Sequence, residues 1–363
     1  MKKSELELYL SNGVEQIVKG IMKVSLKNPR MKFFMAQYSR ESGKTVKRRN
    51  QYEGEGLHIP PFLIASITTE CNLHCKGCYA RANHSCCDSQ TGQKMLDRSQ
   101  WGDIFSQAAE LGVGFILLAG GEPFVRKDVL EEAGRQRRIL FPVFTNGTLI
   151  DEEYIQFLLK NPNVIPVLSM EGGEKVTDGR RGTGTWRMLV HTMEQLLDKE
   201  IIYGVSVTVT KENAEEVFSD EFAKKLAMSG CKAVVYVEYV PVVPSDRDLA
   251  PDEKTRAFMD RRLAVLRETR QELLFVAFPG DERKSGGCLA AGRGFFHINP
   301  WGGAEPCPFS PYSDTSLVNT SLCDALQSPF FRRLNSQGNL EKEHIGGCVL
   351  FEQEKKVKEL LGG

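Results

Sequence analysis

The sequence predicts an α/β fold: a partial (β/α)6 TIM-like barrel with a helical N-terminal extension and a small cysteine-containing C-terminal domain. Three observations lead there. Six short runs rich in Val, Ile, Leu and Phe, at 62–68, 114–119, 139–145, 164–169, 203–209 and 233–239, alternate with amphipathic stretches. Near-continuous apolar runs of this kind belong to parallel strands covered on both faces. Residues able to carry chemistry stand just after these runs, where parallel α/β folds gather their ligands. After Pro279 the texture turns to Gly, Pro, Cys and aromatics. Six strands are too few for a closed eight-stranded barrel, so the sheet should be curved and partly open. The expected boundaries are 1–60 for the extension and linker, 61–278 for the barrel and 279–363 for the C-terminal domain.

Residues 4–28 carry Leu6, Leu8, Val14, Ile17, Val18, Ile21 and Met22 at roughly helical spacing, and Pro29 ends that helix. A short second helix is expected over 31–38. The polar stretch 39–60, closing on Pro60-Pro61, reads as a linker. Helical patterns then fill the gaps between strands at 99–110, 127–137, 151–159, 185–199 and 214–228. Pro251 and Asp252 open another helix, running to about residue 270. In the C-terminal part, 295–299 and 304–307 read as a hairpin across a turn at 300–303, followed by a helical stretch at 321–334.

Lys and Arg balance Asp and Glu at 47 each, so no global signature for nucleic acid exists. The balance is local: residues 1–56 hold twelve Lys and Arg against six Glu. Lys44, Lys47, Arg48 and Arg49 form the densest basic patch. It reads either as a solvated linker or as a site for an anionic partner. No apolar run approaches the 18 residues of a membrane span, and no secretory signal opens the chain. Ten cysteines without an export signal point to a reducing cytoplasm and metal ligation.

The segment Cys71-Asn72-Leu73-His74-Cys75-Lys76-Gly77-Cys78-Tyr79 carries the most chemistry. Three thiolates in eight residues of a polar loop are not a packing pattern. Zinc sites usually pair Cys-x2-Cys with a second pair, whereas the first gap here is three residues. Three ligands on a four-iron cube leave one iron open, and most electron-transfer clusters instead have four cysteines.

This segment, closing a strand, resembles the cluster motif of radical S-adenosylmethionine enzymes. The resemblance covers about 62–350. It implies that Cys71, Cys75 and Cys78 hold a [4Fe–4S] cluster whose fourth iron binds S-adenosylmethionine. It also implies a 5′-deoxyadenosyl radical that abstracts hydrogen from substrate. One departure is visible: the family places an aromatic residue before the third cysteine, and this chain has Gly77 there and Tyr79 after it.

Gly120-Gly121-Glu122-Pro123 follows the second strand and resembles the family's Gly-Gly-Glu-Pro motif. Its glycines permit close backbone approach to a ligand, and Glu122 adds charge for an ammonium. The alternative is an ordinary Gly-Gly turn. Asn146, Ser169 and Glu171 close later strands and resemble segments bordering the cofactor's ribose. Arg180 and Arg181 follow; an Arg fork suits a carboxylate, and Arg181 is favoured for the methionyl carboxylate. Thr208 is the weakest of these candidates.

Cys288, Cys307 and Cys348 flank the expected hairpin and its return segment. The region looks like the auxiliary-cluster domain of the SPASM and twitch subfamilies, which implies one auxiliary [4Fe–4S] cluster. Cys323, a lone cysteine on the expected helix, reads as packing and is the weakest ligand candidate, with His344 as a non-cysteine alternative. Cys86 and Cys87 are assigned no ligand role, and Cys231 reads as packing. The implied enzyme acts on a peptide or protein; a tetrapyrrole or small anionic metabolite is the alternative. It needs an external electron donor such as flavodoxin or ferredoxin. The rival from another class is a non-catalytic iron–sulfur electron carrier, which would require four ligands on the first cluster.

Overall fold

The computed structural model describes residues 29–87, 92–242, 244–283, 287–336, 340 and 348–362. The expected helix at 4–28 lies outside these residues, as does His344.

Seven parallel strands form a curled sheet: β1 (Phe62–Ser66), β2 (Phe115–Ala119), β3 (Phe141–Thr145), β4 (Val164–Met170), β5 (Gly204–Val209), β6 (Ala233–Glu238) and β7 (Leu274–Phe278). Two short strands, β8 (His297–Ile298) and β9 (Ala304–Glu305), complete the order β7-β6-β5-β4-β3-β2-β1-β8-β9. The six expected strands are present, and β7 is a seventh. Its sequence, Leu-Phe-Val-Ala-Phe, directly follows the last barrel helix. The C-terminal hairpin is part of the barrel sheet, because β8 pairs with β1 in parallel.

The strands do not close into a ring, and side chains bridge the gap instead. Phe295 is fully buried between the first and last parallel strands. Its ring stacks on Phe62 of β1 at 5.1 Å and meets Phe278 of β7 at 5.7 Å. Aromatic pairs at these separations gain about 0.5–1.5 kcal/mol beyond their buried area.

The linker expected at 39–60 is instead the continuation of one helix, α1 (Pro29–Gly54). Pro29 opens this helix, a position where its missing N–H costs nothing. Phe34, Met35 and Tyr38 pack on Leu140, Ile165 and Ile202, at or just before the starts of β3, β4 and β5, and so cover the N-terminal mouth of the barrel. The basic patch is also explained. Arg48 Nη1 donates to Ala109 O at 3.1 Å and Arg49 Nη1 to Gly112 O at 2.7 Å. These carbonyls end α2 (Arg98–Leu111), where four acceptors have no partner within the helix and cations are favoured. Lys44 pairs with Glu41.

Local signals set the helix ends. Asp97 and Gln100 form a capping box on α2, and Gly112, with φ 93°, closes it. Asp151, Ser219 and Asp252 cap later helices by the same side-chain chemistry. The expected helix at 214–228 is broken into Ala214–Val217 and Asp220–Met228 by the Ser219 cap.

At the β1–β8 seam, Ser66 Oγ lies 2.8 Å from His297 Nε2, and His297 Nδ1 lies 2.7 Å from Glu305 Oε2. The order resembles a hydrolytic triad. All three residues are buried, however, and Ser66 and His297 do not line the main cavity. We read the trio as a polar staple joining the hairpin to the barrel. Among the described residues, no helix is long and apolar enough to cross a membrane.

Candidate radical site in the barrel mouth

The inside of the curled sheet is a cavity of about 1060 Å³. Alternate residues of each strand face it, as the two-residue period of a strand requires. Its lower part carries Phe62, Leu140, Ile165 and Ile202 together with the polar Lys232 and Gln271. Its upper part, at the carboxyl ends of the strands, presents Thr145, Ser169, Ser206 and Thr208 together with the cysteine loop.

Cys71, Cys75 and Cys78 all line this cavity and are partly exposed. Their loop is tied down by backbone bonds. Gly121 N donates to Thr68 O at 2.9 Å, Glu122 N to Glu70 O at 2.7 Å, and Lys76 N to Arg180 O at 2.9 Å. Side chains add further ties: Asn146 Nδ2 donates to Asn72 Oδ1 at 2.8 Å, and Arg81 Nη2 to Leu73 O at 2.9 Å.

The glycines of the second motif serve this loop directly. A Cβ on Gly121 would lie 2.0 Å from Glu70 O, and one on Gly120, at φ +127°, would lie 2.5 Å from Thr68 O. The close approach they permit is therefore to the protein's own backbone, although both also line the cavity. Glu122 has a comparable role. Its Oε1 accepts from Phe124 N at 3.0 Å and Thr145 Oγ1 at 2.7 Å, and its Oε2 from Asn146 N at 2.7 Å. Burial lifts its carboxyl to about 7 against these hydrogen bonds. Glu122 is thus a buried staple between the ends of β2 and β3, with one edge on the cavity.

Arg180 and Arg181 both line the cavity and both hold Glu171. Arg180 Nη1 lies 2.5 Å, and Arg181 Nε and Nη2 each 2.7 Å, from Glu171 Oε1. One carboxylate faces two guanidiniums, so the pair retains a net positive charge. Glu171 itself is buried behind them, and its Oε2 has no partner among the described residues. Glu171 and Pro123 are not among the residues lining the cavity. Tyr79, Gly120, Gly121, Glu122, Asn146, Ser169 and Arg181 do line it.

The thiols have different environments. A hydrogen bond from Cys86 lowers Cys71 to about 6, helped by the Arg81 and Arg181 charges. Burial raises Cys75, while Arg181 and Arg180 act against that rise. Cys86 was not assigned a role from sequence, yet it is buried against the first cysteine of the motif.

Tyr239 was also missed. A Cβ on Gly77 would lie 2.3 Å from Tyr239 Oη, so this ring occupies the space beside the third cysteine. Glu238 lines the cavity too, held by Arg256 Nε at 2.6 Å. Both close β6, and the rule that ligands gather at strand ends points to them.

The C-terminal cysteines divide. Cys288, Cys307 and Cys348 line one small cavity of about 20 Å³ with Glu282. Glu282, Cys307 and Phe309 line the main cavity as well, so the two adjoin. Burial raises Cys288; the hydrogen bond shared by Cys307 and Cys348 raises Cys307, with burial adding to the rise, and lowers Cys348. Burial and the nearby Cys348 charge push Glu282 up to about 8. Cys323 lies elsewhere, on the helix Leu322–Leu326, where its sulfur accepts from Gln327 Nε2 at 3.9 Å. It is therefore not a partner of the other three. Cys231 is buried packing, as expected. Among the described residues, no three His, Cys, Asp or Glu converge closely enough to hold a single metal ion.

The two cysteine sets fit clusters rather than single ions, because a cube takes each thiolate on a separate corner. In the barrel, three thiols, two arginines and a row of hydroxyls share one wall. That donor set fits an iron–sulfur cube together with an amino-acid cofactor.

The model of the radical SAM superfamily matches residues 65–223. An AdoMet-dependent heme synthase of Methanosarcina barkeri is 28% identical over 328 residues, covering 81% of this chain and 89% of that one. A mycofactocin maturase of Mycolicibacterium smegmatis is 28% identical over 321 residues, covering 82% and 77%. Among solved structures, Streptococcus suis SuiB superimposes with TM-score 0.65 at 16% identity, covering 93% of this chain and 84% of that one. The likeness to SuiB is one of fold.

Proposed function

We propose that this chain, a radical SAM protein by the domain spanning residues 65–223, removes a hydrogen atom from a peptide or protein substrate. It is an enzyme that uses S-adenosylmethionine and a [4Fe–4S] cluster. When these are bound and the cluster is reduced by an external flavodoxin or ferredoxin, they supply a 5′-deoxyadenosyl radical. The observation that carries the reading is the meeting of Cys71, Cys75 and Cys78 with Arg180 and Arg181 on one cavity wall.

The residues then divide the work. Cys71, Cys75 and Cys78 would hold the cluster. Arg180 and Arg181, with charge to spare beyond Glu171, orient the methionyl carboxylate. Ser169, Ser206 and Thr208 offer hydroxyls to the ribose, and Tyr79 and Tyr239 offer aromatic faces beside the third cysteine. The apolar side chains of the sheet's inner face, such as Ile64, Leu117, Val167 and Val235, would shield a radical from water. Cys288, Cys307 and Cys348 hold one auxiliary cluster in a C-terminal unit that begins near residue 279. Ten free thiols fit a reducing cytoplasm.

A peptide substrate is supported by relatives named for maturation: the mycofactocin maturase, and a sporulation killing factor maturation protein of Bacillus subtilis at 29% identity over 164 residues. The heme synthase of Methanosarcina barkeri favours a tetrapyrrole. The basic patch gives that second reading no help, because Arg48 and Arg49 are spent on α2 carbonyls at the far end of the barrel. The test is anaerobic reconstitution, reduction and assay for 5′-deoxyadenosine, with short peptides encoded beside the gene or with iron-coproporphyrin. Cys71→Ala, Cys75→Ala and Cys78→Ala should each abolish it. Reduced, cofactor-loaded wild type that never yields deoxyadenosine would refute the enzyme. Stimulation by the porphyrin alone would refute the peptide.

A further inference from the structure

We propose that Glu282 is the fourth protein ligand of the auxiliary cluster, binding iron through a carboxylate oxygen beside Cys288, Cys307 and Cys348. The proposal rests on the auxiliary-cluster reading above. Three cysteines satisfy three corners of a cube, and Cys323 is excluded by its position. Among the described residues, the small cavity they line contains one further strong donor with an unmet oxygen.

That donor is Glu282. It is 5% exposed, and its Oε1 has no hydrogen-bond partner among the described residues. A buried carboxyl oxygen left without a partner is costly, because the group has lost its water and gained nothing in return. Such an atom calls for a missing partner, an ion or a water. Most of the rest of the wall, Val237, Val240, Phe278, Phe295 and Val349, is apolar, and the Glu238 carboxylate on it is already held by Arg256. A bridging water needs two to four polar partners. Iron needs only the ligands already there.

The backbone holds the carboxylate in place. Glu282 lies on the single turn Gly280–Arg283 that follows β7, and its N–H donates to Pro279 O at 2.9 Å. Cys288, six residues on, is pinned through its N–H to Leu340 O at 2.8 Å. Arg293 Nη1, the nearby cation, is engaged with Cys288 O at 2.8 Å. Carboxylate oxygen is a harder ligand than thiolate, so ligation marks one iron as different from the other three. On binding, the carboxyl releases its proton to solvent, as metal ligands generally do. Because Glu282 and Cys307 also face the main cavity, the distinct corner sits on the side open to substrate.

The experiment uses the full chain carrying Cys71→Ala, Cys75→Ala and Cys78→Ala, so that only auxiliary iron remains. Reconstituted with ferrous iron and sulfide, this parent should hold about four irons, one cube. Glu282→Gln should lose the distinct iron on mild oxidation and give a three-iron paramagnetic signal that the parent lacks. Glu282→Cys should restore four irons with an electron paramagnetic spectrum shifted from the parent's. Urea unfolding of the iron-free proteins should show both variants folded. A Glu282→Gln protein with unchanged iron, unchanged spectrum and unchanged resistance to oxidation would overturn the ligand assignment alone. A parent that binds no iron would overturn the auxiliary-cluster reading and this assignment together.

Discussion

Replacing Gly121 with Ala should damage the cysteine loop without touching a cysteine. The new methyl would stand 2.0 Å from Glu70 O and 3.1 Å from Cys71 N, both backbone atoms. Ordinary contact begins at 3.4 Å, so the loop and the β2 end must separate by about 1.4 Å, the difference of the two values. That movement breaks the bonds from Gly121 N to Thr68 O and from Glu122 N to Glu70 O. Two hydrogen bonds at about 0.5–1.5 kcal/mol each, plus overpacking at about 1–3 kcal/mol, give a loss of about 2–6 kcal/mol. A domain is stable by only about 5–15 kcal/mol. The loss should appear as a lower urea midpoint of the iron-free protein. Because Cys71 follows Glu70, iron uptake by the barrel set should fall as well. The control is Gly43→Ala in α1, where a Cβ meets nothing within 4 Å. It should be neutral or stabilising by about 0.5–1 kcal/mol. A Gly121→Ala protein with a wild-type midpoint and full iron would refute the packing argument.

Three further outcomes follow from buried polar groups. The Glu122 carboxyl is raised from 4.5 to about 7 when folded, so between these values the folded state binds more protons than the unfolded. This group alone should therefore lower the stability of the iron-free protein by about 3 kcal/mol as pH rises through that window, at about 1.4 per pH unit. Glu122→Gln should lack that decline; parallel urea titration curves for the two proteins would reject the assignment. Arg180→Ala and Arg181→Ala should each weaken S-adenosylmethionine binding about tenfold by calorimetry with iron intact, on the scale of about 1.5–3 kcal/mol for a charge-assisted bond. The double variant should lose more stability than the sum, because Glu171 is then buried without a cation; simple additivity would count against the shared role. His297→Ala strands Ser66 and Glu305 and should lower stability by about 2–6 kcal/mol at about 1–3 per orphaned group. It should leave cofactor cleavage by the folded fraction unchanged, and lost cleavage at normal stability would mean the trio is not a structural staple.

Much of the barrel is written locally. The six expected strands are found because parallel strands need apolar side chains on both faces, and the caps at Asp97, Asp151 and Asp252 are single-residue signals. β7, Leu-Phe-Val-Ala-Phe, was missed because it is a short run set directly before Pro279, with only the single turn Gly280–Arg283 after it and no helix pattern to mark a further βα unit. α1 was cut short because its middle is polar. Its residues are helical through tertiary ties, with Tyr38 Oη donating to Gly114 O at 2.6 Å and Arg49 to Gly112 O.

By itself, the sequence determined the chemistry class: a thiol must be a cysteine, and three in eight residues can be read without coordinates. It also identified the strand ends where Gly120, Gly121, Asn146 and Arg181 meet the cavity. The tertiary structure alone decided what each of these does. Gly121 clears space for Glu70, Glu122 staples two strands, and Glu171 holds two arginines. It alone brought Tyr239 beside Gly77 and Glu282 beside Cys348, pairs separated by 162 and 66 residues in the numbering. Such contacts depend on how strands curl and where a chain returns, and no local pattern records that distance.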